Sequence, residues 1–129
     1  VGSFLVKHLR INWTEGEKHF RNCLLDFNKA NNVAQWQWVA GCGADAAPYF
    51  RIFNPILQGE KFDKEGLYVK KWVPELNKVS NKFIHKPWEM ELKYQQSIKT
   101  IIGKDYPHPI VIHEKARISA LEAFKTLKK

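Results

Sequence analysis

Two tryptophans separated by one glutamine, Trp36 and Trp38, stand between two polar series, and together these are the residues whose types and spacing suit chemistry. Asp26, Asn28, Asn31 and Asn32 precede the pair; Arg51, Asn54, Gln58 and Lys61 follow it. A carboxylate, several amides and the free backbone N–H groups of a helix junction can receive a polar heterocycle. Read by themselves, the same four residues serve more simply as turn residues capping two helices. Arg51 and Lys61 suit phosphate contacts or, as isolated charges, a solvated surface. Large flat rings offer stacking faces to another ring.

The usual enzymatic arrangements are missing. The sequence holds no GxSxG, no P-loop and no GxGxxG. His8, His19, His85, His108 and His113 are scattered without ligand spacing, and His113–Glu114 reads as a solvated helix start. Cys23 and Cys42, outside any CxxC pattern, read as buried thiols of a reducing compartment. No hydrolytic centre and no metal site is expected.

The elements that must position these residues read as all-α. SFLVKHLRI suits a helix with Phe4, Leu5 and Leu9 on one side. Thr14 followed by Glu17 reads as a capping box opening a helix in which Phe20, Cys23, Leu24 and Phe27 share a face. Asn28 and Asn31 offer a stop and a new cap, and NVAQWQWVAG then runs as a helix to Gly41. On that helix Trp36 and Trp38 point about 200° apart. Asp63 suits the cap of a helix over KEGLYVKKW, Pro74 stops it, and Pro87 opens a further turn. ELKYQQSIKTIIG reads as a helix ending at Gly103, and YPHPIV as extended chain. The last helix, HEKARISALEAFKTLKK, would turn Ile118, Leu121, Phe124 and Leu127 inward.

Composition narrows the partners. A chain of 129 residues reads as one unit, and 44% hydrophobic residues suffice for its core. Aromatics at 13% exceed what a minimal helical domain needs, which leaves rings for a cavity or an interface. A formal charge of +8 favours polyanions, nucleic acid before anionic membrane, although solvated helix faces account for part of it. No apolar run is long enough for a transmembrane helix. No signal peptide is present and the first residue is Val, so the chain reads as excised from something longer.

Taken together, LLDFNKANN, WQWVAGCGADAAPYFRIFNPILQGEKFD and YVKKWVPEL resemble the photolyase/cryptochrome family. The likeness covers essentially all of residues 1–129, from SFLVKHLRINW to YPHPIVIHEKAR. It implies the C-terminal part of that family's helical FAD-binding domain, in a class I enzyme for cyclobutane pyrimidine dimers. The family places an acidic pair near the flavin, followed by an Asn beside the ring nitrogen that gains a proton on one-electron reduction. Here these positions carry Asp26, then Asn28 in place of the second acid, then Asn32, with Phe27 between as part of the same cofactor-binding wall. Asn28 loses a charge but keeps an amide.

The same resemblance implies electron transfer to flavin through Trp36, nearest the cofactor, and Trp13 behind it; the outermost ring of that path would lie before residue 1. Trp38 would line the cavity for the dimer; Arg51, Gln58 and Lys61, from the polar series after PYF, are by residue type the expected contacts toward the DNA. Photolyases take the bases they act on out of the duplex stack, so extrusion of the dimer follows from the resemblance. The family's N-terminal antenna domain with its second chromophore, its loop for the FAD phosphates and an Arg partner for Asp26 do not occur in this chain, so weak or no FAD binding is expected of it alone. A domain cut through its cofactor site exposes apolar surface, which favours self-association. The implied location is cytoplasmic, at the nucleoid. The competing expectations are a non-catalytic basic DNA-binding module and a cryptochrome-like blue-light receptor. Asn32 and the lack of a long tail after Lys129 weigh against the receptor.

Overall fold

The computed structural model describes residues 1–45 and 51–126, and the described residues contain helices and turns but no named strand. They form two compact units, Val1–Phe53 with Val111–Lys129, and Asn54–Ile110. The first unit holds a short π-helix (Phe4–His8), α1 (Trp13–Cys23), α2 (Lys29–Ala40) and α6 (His113–Thr126). The second holds α3 (Pro55–Phe62), α4 (Leu67–Trp72), α5 (Leu92–Ile98) and two 3₁₀ turns, Pro74–Leu76 and Pro87–Glu89. No described helix is long and apolar enough to cross a membrane.

Helix α1 starts two residues before the expected capping box. Asn12 is its N-cap, and the Asn12 Oδ1 accepts from both the backbone N–H and the hydroxyl of Thr14. Thr14 therefore lies inside the helix, and Glu17 is free for another task. The helix also ends early: Leu24 is extended, so Cys23 and Leu24 are exposed instead of continuing an apolar face to Phe27. The expectation of buried thiols fails for both cysteines, since Cys42 is exposed as well. Helix α2 begins at Lys29, with the Asn28 side chain accepting from Asn31 N–H. It ends at Gly41, whose left-handed φ of 77° closes the last turn onto the carbonyls of Gln37 and Trp38.

In the second unit, Leu76, Val79, Ile84, Met90 and Ile102 form the buried core, with Val69, Val73, Phe83, Tyr94, Ile98 and Tyr106 packed around it. Asn54 caps α3, accepting from Ile56 and Leu57 N–H, with Pro55 in the first turn where its missing donor costs nothing. Asp63 closes α3 and aims its carboxylate at the head of α4, accepting from Tyr68 and Val69 N–H. Desolvation works against that charge, but the backbone donors and nearby His85 outweigh it and hold the Asp63 pKa below the ordinary carboxylate value. Helix α5 stops at Lys99, which takes a left-handed φ of 55°, well before Gly103. The buried Gln95 side chain explains the early stop, donating to Met90 C=O and accepting from Ile102 N–H, which fixes the returning chain.

On α6, Ala120 is buried while Ile118 is exposed, so the expected inward stripe is rotated; Leu121 and Phe124 are half-buried, and Leu127 lies outside the described residues. The helix is tied to the π-helix by His8 Nε2 and His113 Nδ1, 2.8 Å apart, so His113 is a packed residue and not a solvated one. Phe4 also stacks on the His8 ring, with ring centroids 5.1 Å apart. Burial first, then the neighbouring His113, push the His8 pKa below its ordinary 6.5, against a raising contribution from the Ser3 backbone. In the unfolded chain His8 takes a proton more readily than in the fold. Stability from this site is therefore complete above pH 6.5 and falls as pH drops from there toward the lowered native value. Urea denaturation between about pH 8 and pH 5 should show that decline, and His8→Asn should flatten it.

Candidate functional site

The face shared by α1 and α2 is built around one ring. Trp36 is 4% exposed, and Phe20 meets it edge-on with ring centroids 5.1 Å apart. On α1 the residue opposite the indole is Gly16. A Cβ there would collide with Trp36 Cη2 and Cζ3, so no other side chain fits without displacing a buried ring. Gly2, before the π-helix, completes the enclosure: a Cβ on it would sit 3.5 Å from Trp36 Cζ3.

One turn before Trp36 on α2, Asn32 is also buried. Its Nδ2 donates to the Glu17 backbone oxygen at 3.0 Å and to Glu17 Oε1 at 3.2 Å. Both neighbours are acceptors, so the amide has one sensible orientation, and its own Oδ1 remains to accept from something else. Glu17 is 5% exposed, and Arg21 holds it in a two-point pair, Nη2 to Oε2 at 2.7 Å and Nε to Oε1 at 3.2 Å. Glu17, expected as a cap, is thus the residue that sets Asn32. The i, i+4 spacing of Glu17 and Arg21 was the available signal, and the misplaced helix start hid it.

The other expected cofactor residues lie on the α1–α2 junction. Asp26 is in an exposed turn and Phe27 is half-buried. The Asn28 side chain is engaged as the α2 cap. Trp13 occupies the first turn of α1, half-buried. Trp38 turns away from Trp36, is 42% exposed, and lines a shallow open cleft with Ala34, Gln35, Cys42 and Asp45. Arg51 is exposed, with its guanidinium 5.6 Å over the Phe53 ring, and its backbone oxygen accepts from the buried Lys7 Nζ at 2.5 Å. Arg51 belongs to the unit of Trp38, whereas Gln58 and Lys61, both exposed on α3, belong to the other unit. Asn54 of that series is a helix cap. His19, expected to lack ligand spacing, and Cys23, expected to be buried, are exposed on α1 and in contact with each other.

The acceptor left on Asn32, in a wall closed by Trp36 and Phe20, fits a flat heterocycle carrying a ring N–H. Comparison with known proteins gives that wall its family. The model for the FAD binding domain of DNA photolyase matches residues 1–126. The chain belongs to that family. It is 57% identical over 129 residues to a deoxyribodipyrimidine photo-lyase of Agrobacterium fabrum, covering 100% of this chain and 27% of the relative. A crystal structure of a bacterial class III photolyase from Agrobacterium tumefaciens superposes with a TM-score of 0.91 at 57% identity, covering 98% of this chain and 26% of that one. A Synechocystis cryptochrome superposes with a TM-score of 0.86 at 34% identity, over 94% of this chain and 25% of that one. The chain therefore spans about a quarter of the length of these relatives.

The Arg21–Glu17–Asn32 group makes a measurable prediction. Arg21→Met leaves a buried carboxylate without its cation and should cost about 1–3 kcal/mol in urea denaturation, less than for a fully buried pair because Arg21 is half-exposed. On that background Glu17→Gln should cost clearly less than it does alone. Additivity within about 0.5 kcal/mol would show that the two side chains are not coupled.

Proposed function

We propose that residues 1–129 form the C-terminal part of the flavin-binding domain of a light-driven DNA photolyase that repairs cyclobutane pyrimidine dimers. The observation that carries this reading is the buried Asn32 amide, turned by Glu17 so that its oxygen is presented one turn from the enclosed Trp36. FAD, when bound, supplies the one-electron redox chemistry. The roles of this chain are orientation and electrostatics. Asn32 would hold its free amide oxygen as an acceptor for a ring N–H of the cofactor, and Asp26, Phe27 and Asn28 lie on the junction that would complete that wall. Trp36 and Trp13 are the rings that would carry an electron to the cofactor. Trp36 is held by Gly16 and Phe20, which limits reorganisation of the ring when its charge changes.

Trp38 is the stacking surface for the extruded dimer, a role suited by its exposed face and open cleft. Arg51, Gln58 and Lys61 are the contacts toward the DNA strand, and an enzyme with that substrate works at the nucleoid. The class I expectation is not carried into this proposal, because the 57% identical solved structure is a class III photolyase. A photoreceptor is the second reading, favoured by 34% identity to the Synechocystis cryptochrome.

Substitutions in the complete flavoprotein separate these roles. Trp36→Phe should slow photoreduction of the flavin while sparing affinity for dimer-containing DNA. Trp38→Ala should weaken that affinity by about 1–3 kcal/mol while sparing photoreduction. Loss of the same function in both variants would refute the division of labour. Absence of dimer repair by the flavin-loaded wild type under blue light would favour the photoreceptor.

A further inference from the structure

Helix α1 carries a second pair of chemically active side chains, on the side away from Trp36. Gly16, Glu17 and Phe20 face inward, and His19 and Cys23 lie on exposed positions one turn apart. The Cys23 sulfur is 3.8 Å from His19 Nε2 and 4.0 Å from Nδ1. A tetrahedral zinc ion holding one thiolate and one imidazole at ordinary bond lengths places those two atoms about 3.6 Å apart. The sulfur is nearly equidistant from the two ring nitrogens and so off either lone pair. A chelate requires the exposed His19 ring to turn until one nitrogen faces the metal beside Cys23, which the i, i+4 spacing on an exposed helix face allows. Both groups are soft or borderline donors, which select zinc or copper(I) over magnesium or calcium. Glu15, one turn earlier on the same exposed stripe, adds negative charge to that side of the helix.

We propose that His19 and Cys23 form a surface chelate for a thiophilic metal ion, zinc or copper(I), separate from the flavin wall. Among the described residues no group of three or more His, Cys, Asp or Glu is placed to hold a metal, so the protein gives two ligands and leaves the remaining positions to water or an external ligand. Cys23 releases its proton to solvent on binding, and His19 binds as the neutral imidazole. An open site of this kind exchanges its metal and has no part in holding the fold together.

Cobalt(II), as a spectroscopic stand-in for zinc, tests the site on the reduced full chain. A thiolate-to-cobalt absorption band should grow, saturate at one equivalent and disappear when zinc is added. His19→Ala and Cys23→Ser should each abolish it, and Cys42→Ser should leave it unchanged. Both positions are exposed, so these variants keep the helical circular dichroism of the parent. No band in the wild type, a band that depends on Cys42, or a band that survives either His19→Ala or Cys23→Ser would overturn the proposal.

Discussion

The close approach of the Gly16 backbone to the Trp36 indole is the constraint on which the rest of the first unit depends. With a Cβ excluded from that position, α1 and α2 can meet over a ring and not over interdigitated side chains. That distance brings Glu17, the next residue on α1, within hydrogen-bonding reach of Asn32, one turn before Trp36 on α2. Packing and polarity are therefore set by the same contact. If the ring moved outward, Asn32 would lose the acceptors that orient it, and a buried amide would be left unpaired at a cost of about 1–3 kcal/mol.

The buried carboxylate is the second consequence. A charge at the position of Glu17 needs compensation, and it has two sources: the Arg21 guanidinium and the Asn32 amide. Arg21 remains half-exposed, so the pair is anchored at the core end and solvated at the other. Such an arrangement keeps a strong acceptor inside the protein without isolating it. The benefit is definition: one amide orientation, one acceptor presented.

The helical class, the α2 end at Gly41, and the opposite faces of Trp36 and Trp38 were legible because a left-handed glycine and helical periodicity each have local chemical causes. The expected α2 start fell three residues late, because Asn31 is as competent a cap as Asn28, whose side chain takes the Asn31 N–H instead. Nor was the α1 start legible, since Asn12 and Thr14 are both competent caps and only the Asn12 Oδ1 contacts decide between them. That two-residue shift hid Glu17 and its partners. The end of α5 was also hidden, because a lysine in left-handed geometry has no local signature and Gln95 holds it through contacts across the turn. Likewise His8 and His113 are 105 residues apart in sequence, and nothing short of the fold brings them together. The candidate flavin and electron-path residues came from family resemblance; local spacing alone left Asp26, Asn28 and Asn32 open as turn caps, and Asn28 does serve as one.

The orientation of the Asn32 amide is the central claim, and side-chain nuclear magnetic resonance of the flavin-loaded complete protein, labelled with ¹⁵N at asparagine, reads it directly. The account predicts that the Asn32 NH₂ protons show contacts to α1 protons around Glu17 and exchange slowly with solvent. NH₂ protons in contact with the flavin ring, with the Glu17 side unprotected, would contradict it.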